Sequence, residues 1–497
     1  MFMRERGRVE FMKNTSGTKR FGALCGVAAA ALLGATAAAQ EGAGSREQEL
    51  LDTIKRLESR VGELERKNVE IESDRNAELL ESRINAVTTN LDAVPDSGSL
   101  SAKFDAGGWG FSSEDKNFKL KITGRLQDDW TFAGQSDEWE QDVGHLEDGF
   151  RFRRTRLGAQ GEVYKHFEFK IELDFAQGDA DFTDVFMGVV GLGEFVYGVK
   201  VGQFKEPMGL DELTSDGFVT FNEQAAGYNG LVPGRNNGMM VYGNAFEDRM
   251  SWQLGFFRDT DNFGDSAAAT ATAGPTSSAR QEDGKYAGTL RITGLPWYED
   301  KGEYLLHLGA SVRYANPGND EFIVSARPEN RSMPVYLTTG DFPVDDLVEF
   351  GVEVAAVISS FALKAEFIGA DFSGQNSGDA EPFLYAWYVE ASYFITGEHL
   401  PYKTRTATFD RLKPSAYFLN EEGGLGAWQV TLRFDQADYN DDGIQGGEAD
   451  NLTAGLNWYM NPQALIRFNF TWASLEDGPG GDEGDAYIFT IRFQFDF

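Results

Sequence analysis

From about residue 100 to the end, apolar and polar residues alternate in short runs. The last ten residues, IFTIRFQFDF, place Ile491, Phe493, Phe495 and Phe497 on one side and Thr490, Arg492, Gln494 and Asp496 on the other. A strict period of two predicts a β-strand whose faces meet different surroundings. The same reading holds for KLKITGRLQ from Lys119, FEFKIELDF from Phe167, VEFGVEVAAV from Val348, FALKAEFIG from Phe361 and LIRFNFTWA from Leu465. Short turns such as residues 164–166 separate some strands, and acidic stretches such as QSDEWEQDVGHLEDG, NDDGIQGGEAD and EDGPGGDEGD, read as long loops, separate others. Short turns at one end and long loops at the other predict an all-β fold, a transmembrane antiparallel β-barrel. At roughly 25 residues per strand with its connection, residues 102–497 accommodate about 16 strands, a size that encloses an aqueous channel.

Before the strands the period changes. In residues 46–92, Leu50, Ile54, Leu57, Val61, Leu64, Asn68 and Ile71 recur at alternating four and three spacing. This predicts an α-helical coiled coil that ties copies of the chain together; a single amphipathic helix lying on another domain is the alternative. Asn68 at a seam position, with Ile and Val at its equivalents, favours two strands. Residues 93–101 read as a linker. At the N-terminus, Lys13, Lys19 and Arg20 precede FGALCGVAAAALLGATAAAQ, which predicts a signal peptide over residues 1–39, cleaved before Gln40.

Composition narrows the classes. The 497 residues include 57 Gly and 39 Phe but only 14 Pro, a mixture suited to many strands and glycine turns. Beyond the N-terminus no eighteen-residue apolar run occurs, which excludes a helical membrane protein but not a barrel. Cys25 is the only cysteine and falls inside the predicted signal, so neither disulfides nor a structural zinc site is expected. A formal charge of −34 argues against nucleic acid as a partner. DYNDDG, residues 438–443, matches half of a calcium loop but has Ala449 at the twelfth position, and no metal is expected there. The four histidines lie far apart without a nucleophile motif, so neither enzyme activity nor a cofactor is expected.

VYGVKVGQFKEPMGLDELTSDGFVTFNE (196–223), LYAWYVEASYFITGEHLPY (384–402) and NLTAGLNWYMNPQALIRFNF (451–470) resemble the phosphate-selective porins, the family of porin O and porin P. The resemblance implies a sixteen-stranded trimeric channel of the bacterial outer membrane, set in lipid, with basic residues lining a pore for phosphate, polyphosphate or other small anions. Because bacterial barrel proteins present a terminal aromatic strand to their insertion machinery, Phe497 also reads as an assembly signal for it; one more lipid-facing ring is the alternative. A trimer sits uneasily with a two-stranded seam.

Parity with apolar neighbours assigns basic residues to the lumen: Lys119, Lys121, Arg125, Arg154, Arg156, Lys170, Lys200, Arg291, Arg313, Lys364, Arg433, Arg467 and Arg492. The same parity places eleven carboxylates there, among them Asp129, Glu172, Asp174, Glu353, Glu366, Asp435 and Asp496. The inner wall is thus richer in positive charge than the chain as a whole. Arg154 and Arg156 of RFRRTRLG are candidates to take an anion's oxygens, or to pair with acids and set the bore. Lys200, flanked by Gly198 and Gly202, is expected to stand unobstructed, and residues 207–221 to fold inward as a constriction. Asp128 falls on the outward side of the first strand, where a bulge or a rim position would be needed. The expected function is passive, anion-selective diffusion of phosphate or polyphosphate through a water-filled channel; a general or cation-preferring pore, or an envelope anchor acting through a periplasmic coiled coil, are the alternatives.

Overall fold

The computed structural model describes residues 100–497 except 106, 177, 179, 261–285 and 318–320, together with part of 52–82. Two compact units are distinguished, Met1–Asp96 and Ser97–Phe497. In the first, the described positions between 52 and 82 are helical. Leu57, Val61 and Leu64 are 58%, 47% and 61% exposed, so within one chain this part of the seam covers nothing. That leaves the coiled coil without support from the structure. Ile54, Asn68 and Ile71, and the predicted signal over 1–39, lie outside the described residues.

The second unit is built from sixteen wall strands, in chain order β1 (Phe118–Gln135), β2 (Gly149–Val163), β3 (Phe167–Asp174), β4 (Asp181–Val190), β5 (Gly198–Lys205), β6 (Arg235–Ala245), β7 (Met250–Arg258), β8 (Tyr286–Glu299), β9 (Tyr304–Asn316), β10 (Asp346–Ile358), β11 (Phe361–Ser373), β12 (Phe383–Phe394), β13 (Ala427–Asp441), β14 (Ile444–Tyr459), β15 (Ala464–Glu476) and β16 (Gly484–Asp496). Each pairs antiparallel with the next. β16 returns to β1 in a register running from Ala486 opposite Gln135 to Asp496 opposite Arg125, and the sheet closes. An N-terminal hairpin, Ser101–Asp105 against Gly108–Ser112, covers the edge of β1 at residues 119–122 that β16 leaves free.

The alternation behaves as expected. On β16, Phe489, Phe493 and Phe495 are outward and exposed, while Thr490, Arg492, Gln494 and Asp496 are inward and buried. Phe497 adds the last rung: its N–H donates to Gly124 O at 3.0 Å and its carbonyl accepts from Gly124 N at 2.7 Å. A Cβ at position 124 would lie 2.2 Å from the end of the Phe497 ring, so glycine lets the ring lie flat over this rung.

Two expectations change. NDDGIQGGEAD is not a long loop: β13 and β14 continue through it to a two-residue Asp442-Gly443 turn, both with positive φ (42° and 84°), the geometry of a type I′ hairpin. At the short-turn end, residues 395–426 form a long connection that re-enters the barrel, because its apolar side chains, including Leu400, Tyr402, Phe409 and Leu412, bury against Leu305, Val357 and Leu465 of the wall. Asp128 remains outward, accepting from Trp130 Nε1 at 3.0 Å. The irregularity lies in β2 instead, where the register jumps from Arg154 to Phe152 and both Arg153 and Arg154 turn inward.

If the outward rings face hydrocarbon, Phe493→Arg should cost roughly 2–4 kcal/mol near the bilayer midplane. Urea-induced unfolding in lipid vesicles measures this, and a variant as stable as the parent would contradict the lipid-facing assignment.

Candidate functional site

Three segments fill much of the interior. Residues 206–234 carry two short helices, Leu210–Leu213 and Ala226–Leu231. The second packs so closely on the wall that a Cβ on Gly227 would lie 2.1 Å from the Ala437 side chain. Residues 324–344 and 395–426 are the others, and the first two share one apolar core with small inward residues of the wall such as Ala386, Ala437, Ala449 and Ala473. Inward loops need room, and alanine supplies it.

Charged side chains hold these segments in place. Glu366 on β11 accepts from Leu210 N (2.7 Å), Asp211 N (2.8 Å) and Tyr228 Oη (2.8 Å), and also from Tyr388 Oη. Arg467 donates to the carbonyls of Gly217 (3.1 Å) and Val219 (2.7 Å). Arg492 pairs with Asp129 and with Glu223, both at 2.6 Å. Arg433 pairs with Glu329 at 2.7 Å, and Arg313 with Glu206 (3.0 Å) and Glu349 (2.7 Å). Arg291 pairs with Glu353 at 2.7 Å and donates to Ala407 O at 3.1 Å, fastening the 395–426 segment. All five arginines face inward, as parity predicts. They are nearly or fully buried, and their partners are carboxylates and loop carbonyls.

Lys364 on β11 is likewise buried and paired, with Glu390 and, at 3.6 Å, with Asp211 of the inward loop. The other predicted residues, Lys119, Lys121, Arg125, Arg154, Arg156, Lys170 and Lys200, gather on the opposite side, on β1 to β6. A central cavity of about 340 Å³ is lined by Arg125, Arg156, Lys170, Lys200, Lys205, Arg235 and Lys403, with four carboxylates, Glu172, Asp184, Asp216 and Asp410, among them. It shares Arg156, Lys205, Asp216 and Arg235 with a second cavity of about 370 Å³ that adds Arg151, Arg153, Arg154 and Arg331. It shares Lys170 and Lys403 with a third of about 600 Å³, which holds Lys103, Lys119 and Lys121. Basic side chains therefore line three adjoining cavities. Arg291, Arg313, Arg433, Arg467 and Arg492 line none of these three.

Within this row most cations are partnered. Asp216 of the inward loop takes Arg156 (2.7 Å), Arg154 (3.0 Å) and Lys205 (3.5 Å). Lys170 pairs with Asp184 at 2.6 Å and Arg125 with Asp496 at 2.9 Å. Lys200 differs: its ammonium lies 4.1 Å from the Phe204 ring centroid, 5.0 Å from Phe186 and 5.9 Å from Tyr242. The flanking glycines do not leave it unobstructed. They let the strand lie close to its surroundings: a Cβ on Gly198 would lie 2.8 Å from Val189 O and 2.9 Å from Tyr242 Oη, and one on Gly202 would lie 2.3 Å from Val185 O.

Burial would raise the Asp216 carboxyl, but Arg154, Lys205 and Arg156 outweigh it and hold it well below the usual range; Arg153 and Arg492 do the same for Glu223 against burial. A depressed carboxylate keeps its pairing above the ordinary value near 4 and loses it only as pH falls through the lower folded value.

Parity missed Arg153, because a bulge breaks it, and Lys205, Arg235, Asp216 and Lys403, which stand at strand ends or in loops without a period. Lys205 and Asp216 fall within the stretch 196–223 singled out for its resemblance, and Lys403 directly follows the stretch 384–402, but nothing local says where these charges point. Among the described residues no group of acids, histidines and cysteines is arranged to hold a metal.

The sequence profile described as "Phosphate-selective porin O and P" matches residues 120–497. Porin O of Pseudomonas aeruginosa is 24% identical over 428 residues, covering 78% of this chain and 91% of that protein. An uncharacterized protein of Caulobacter vibrioides is 29% identical over 377 residues, 74% of this chain and 70% of that one. Among solved structures, the outer membrane channel DcaP of Acinetobacter baumannii aligns at a TM-score of 0.49 with 12% identity, covering 79% of this chain and all of that one. An anion-selective porin from Comamonas acidovorans aligns at 0.46 with 12% identity, covering 76% and 100%.

Two outcomes follow from the site's geometry. Glu366→Ala leaves up to four donors unpaired, at about 1–3 kcal/mol each where they stay buried, so single-channel conductance and current noise should rise as the 206–234 segment loosens; unchanged traces would contradict its anchoring role. Between pH 7 and about pH 4, Asp216 and Glu223 stay charged, so lowering pH over that range should not mimic Asp216→Asn, which raises the chloride-to-potassium permeability ratio at pH 7. A parent channel whose ratio climbs to the variant's value by pH 5 would contradict the pairing.

Proposed function

The chain belongs to the family of phosphate-selective porins O and P, channel proteins of the Gram-negative outer membrane, and from that premise we propose that it is a passive channel for small anions, with phosphate or polyphosphate as the favoured class. The observation that carries this reading is the row of basic residues along three adjoining cavities on the β1–β6 side. Arg125, Arg154, Arg156, Lys170 and Lys200 are assigned to the path, where guanidinium and ammonium groups replace part of an anion's hydration. The carboxylates interleaved with them keep each binding step weak enough for release. Arg291, Arg313, Arg433, Arg467 and Arg492 are assigned a different task, seating the inward segments that push the path to one side.

Further assignments rest on the family and the sequence. The working unit is a homotrimer in outer-membrane lipid. Phe497 serves as the signal read by the barrel-insertion machinery, consistent with its place as the closing rung on Gly124. Residues 46–92 form a coiled coil in the periplasm after removal of residues 1–39.

The reversal potential of the purified protein in a planar bilayer under a KCl gradient tests the reading. Anion selectivity is expected, with phosphate blocking the chloride current. Arg156→Gln should weaken that block by roughly tenfold, the loss of one charge-assisted contact. A reversal potential of the cation sign would overturn the anion assignment and leave a cation-preferring pore on this scaffold.

A further inference from the structure

The central cavity presents more than charge. Of the seven cations that line it, Lys170, Arg156, Arg125, Lys205 and Arg235 all have carboxylate partners. Among the described residues, no carboxylate stands within ion-pair distance of Lys200 or Lys403. Lys200 instead has the Phe186, Phe204 and Tyr242 rings around it, and rings compensate only part of what a buried ammonium loses on leaving water. An anion entering the cavity would meet this ammonium without displacing an internal partner.

The inward loop contributes carbon to the same cavity. Leu213 and Phe218 line it and are only partly buried, whereas Met240 and Phe409, the other apolar residues of the lining, are buried, so the loop presents apolar surface in a chamber lined mostly by charged and polar groups. The Phe218 ring also lies 5.6 Å from the Arg125 guanidinium carbon and 4.8 Å from that of Arg411. An inorganic oxyanion gains from the cations and gains nothing from the ring. A solute with one anionic head and a flat apolar body gains from both, because stacking on an aromatic face removes carbon from water while the head meets the cations. The cavity's 340 Å³ falls within the roughly 300–1,000 Å³ of small-ligand sites.

We propose that this cavity is a subsite for organic anions with a planar apolar body, such as aryl phosphates or aryl carboxylates, held between the Lys200 ammonium and the Phe218 ring. The proposal rests on the anion-channel reading and specifies the solute at its centre.

Two esters of equal charge test it, methyl phosphate and phenyl phosphate, each titrated as a blocker of the KCl current through the full-length mature channel. Phenyl phosphate is expected to half-block at roughly a tenfold lower concentration than methyl phosphate. Phe218→Ala, and Phe218→Leu, which keeps bulk without a ring, should bring the two esters to within about twofold. Lys200→Gln should weaken both esters by a similar factor and so preserve their ratio. Heat-modifiable migration on a gel verifies that each variant is a folded barrel. Equal block by the two esters in the parent, or a preference that survives in both Phe218 variants, would overturn the proposal while leaving anion conduction intact. Cation selectivity with no block by either ester or by inorganic phosphate would instead overturn the anion reading, and this subsite with it.

Discussion

Every part of this architecture depends on the backbone hydrogen bonds between β16 and β1. A sheet that spans hydrocarbon has no water for its unpaired N–H and C=O groups, so it must close on itself. The eleven-residue register from Ala486 to Asp496 supplies that closure, and Phe497 extends it by one rung on Gly124. Closure fixes which side chains face in, and that choice sets everything that follows. Arginine, aspartate and glutamine on β16 are acceptable only because closure gives them an interior in which to find partners.

The interior then divides by how its charges are satisfied. A buried guanidinium is costly unless geometry and hydrogen bonds compensate it. On the β8–β16 side the compensation comes from carboxylates and from carbonyls of chain segments that fold inward, as with Arg467 on Gly217 and Val219 and Arg492 on Asp129 and Glu223. Those contacts consume the charges they use. On the β1–β6 side the inward loop approaches with Asp216 and Glu223 but does not fill the space, and cavities remain whose lining is predominantly basic. A strongly acidic protein can thus hold a basic path, because formal charge summed over the chain says little about the field inside a closed wall.

Strand number, closure and facing were legible in the sequence because a barrel wall imposes a period of two that single residues rarely break. Parity placed the named arginines and lysines on the inner face. It could not separate Arg156, which lines the basic cavities, from Arg467, which anchors a loop, since both obey the same alternation and differ only in what the loops bring to them. Arg153 was lost to a bulge, and the hairpin turn at Asp442-Gly443 was hidden by acidic residues that look like loop. The re-entrant 395–426 segment was the hardest to foresee: its burial depends on small wall residues far away in the chain, such as Ala355 and Ala362, and no local pattern records that. The Lys200 environment was misjudged for the same reason, because two of the rings around it, Phe186 and Tyr242, come from neighbouring strands.

The central claim is that water and solute pass along the β1–β6 side while the opposite side is packed shut. Since the chain has no cysteine beyond Cys25, single cysteines report this directly: Ser215→Cys in the basic cavity and Thr453→Cys on the packed inner face of β14. The measurement is the rate at which a charged, membrane-impermeant thiol reagent modifies each during current recording. Rapid modification with loss of current at position 215, and none at 453, is the predicted result. Modification of both at similar rates would mean that the interior is an open bore, and the division described here would be wrong.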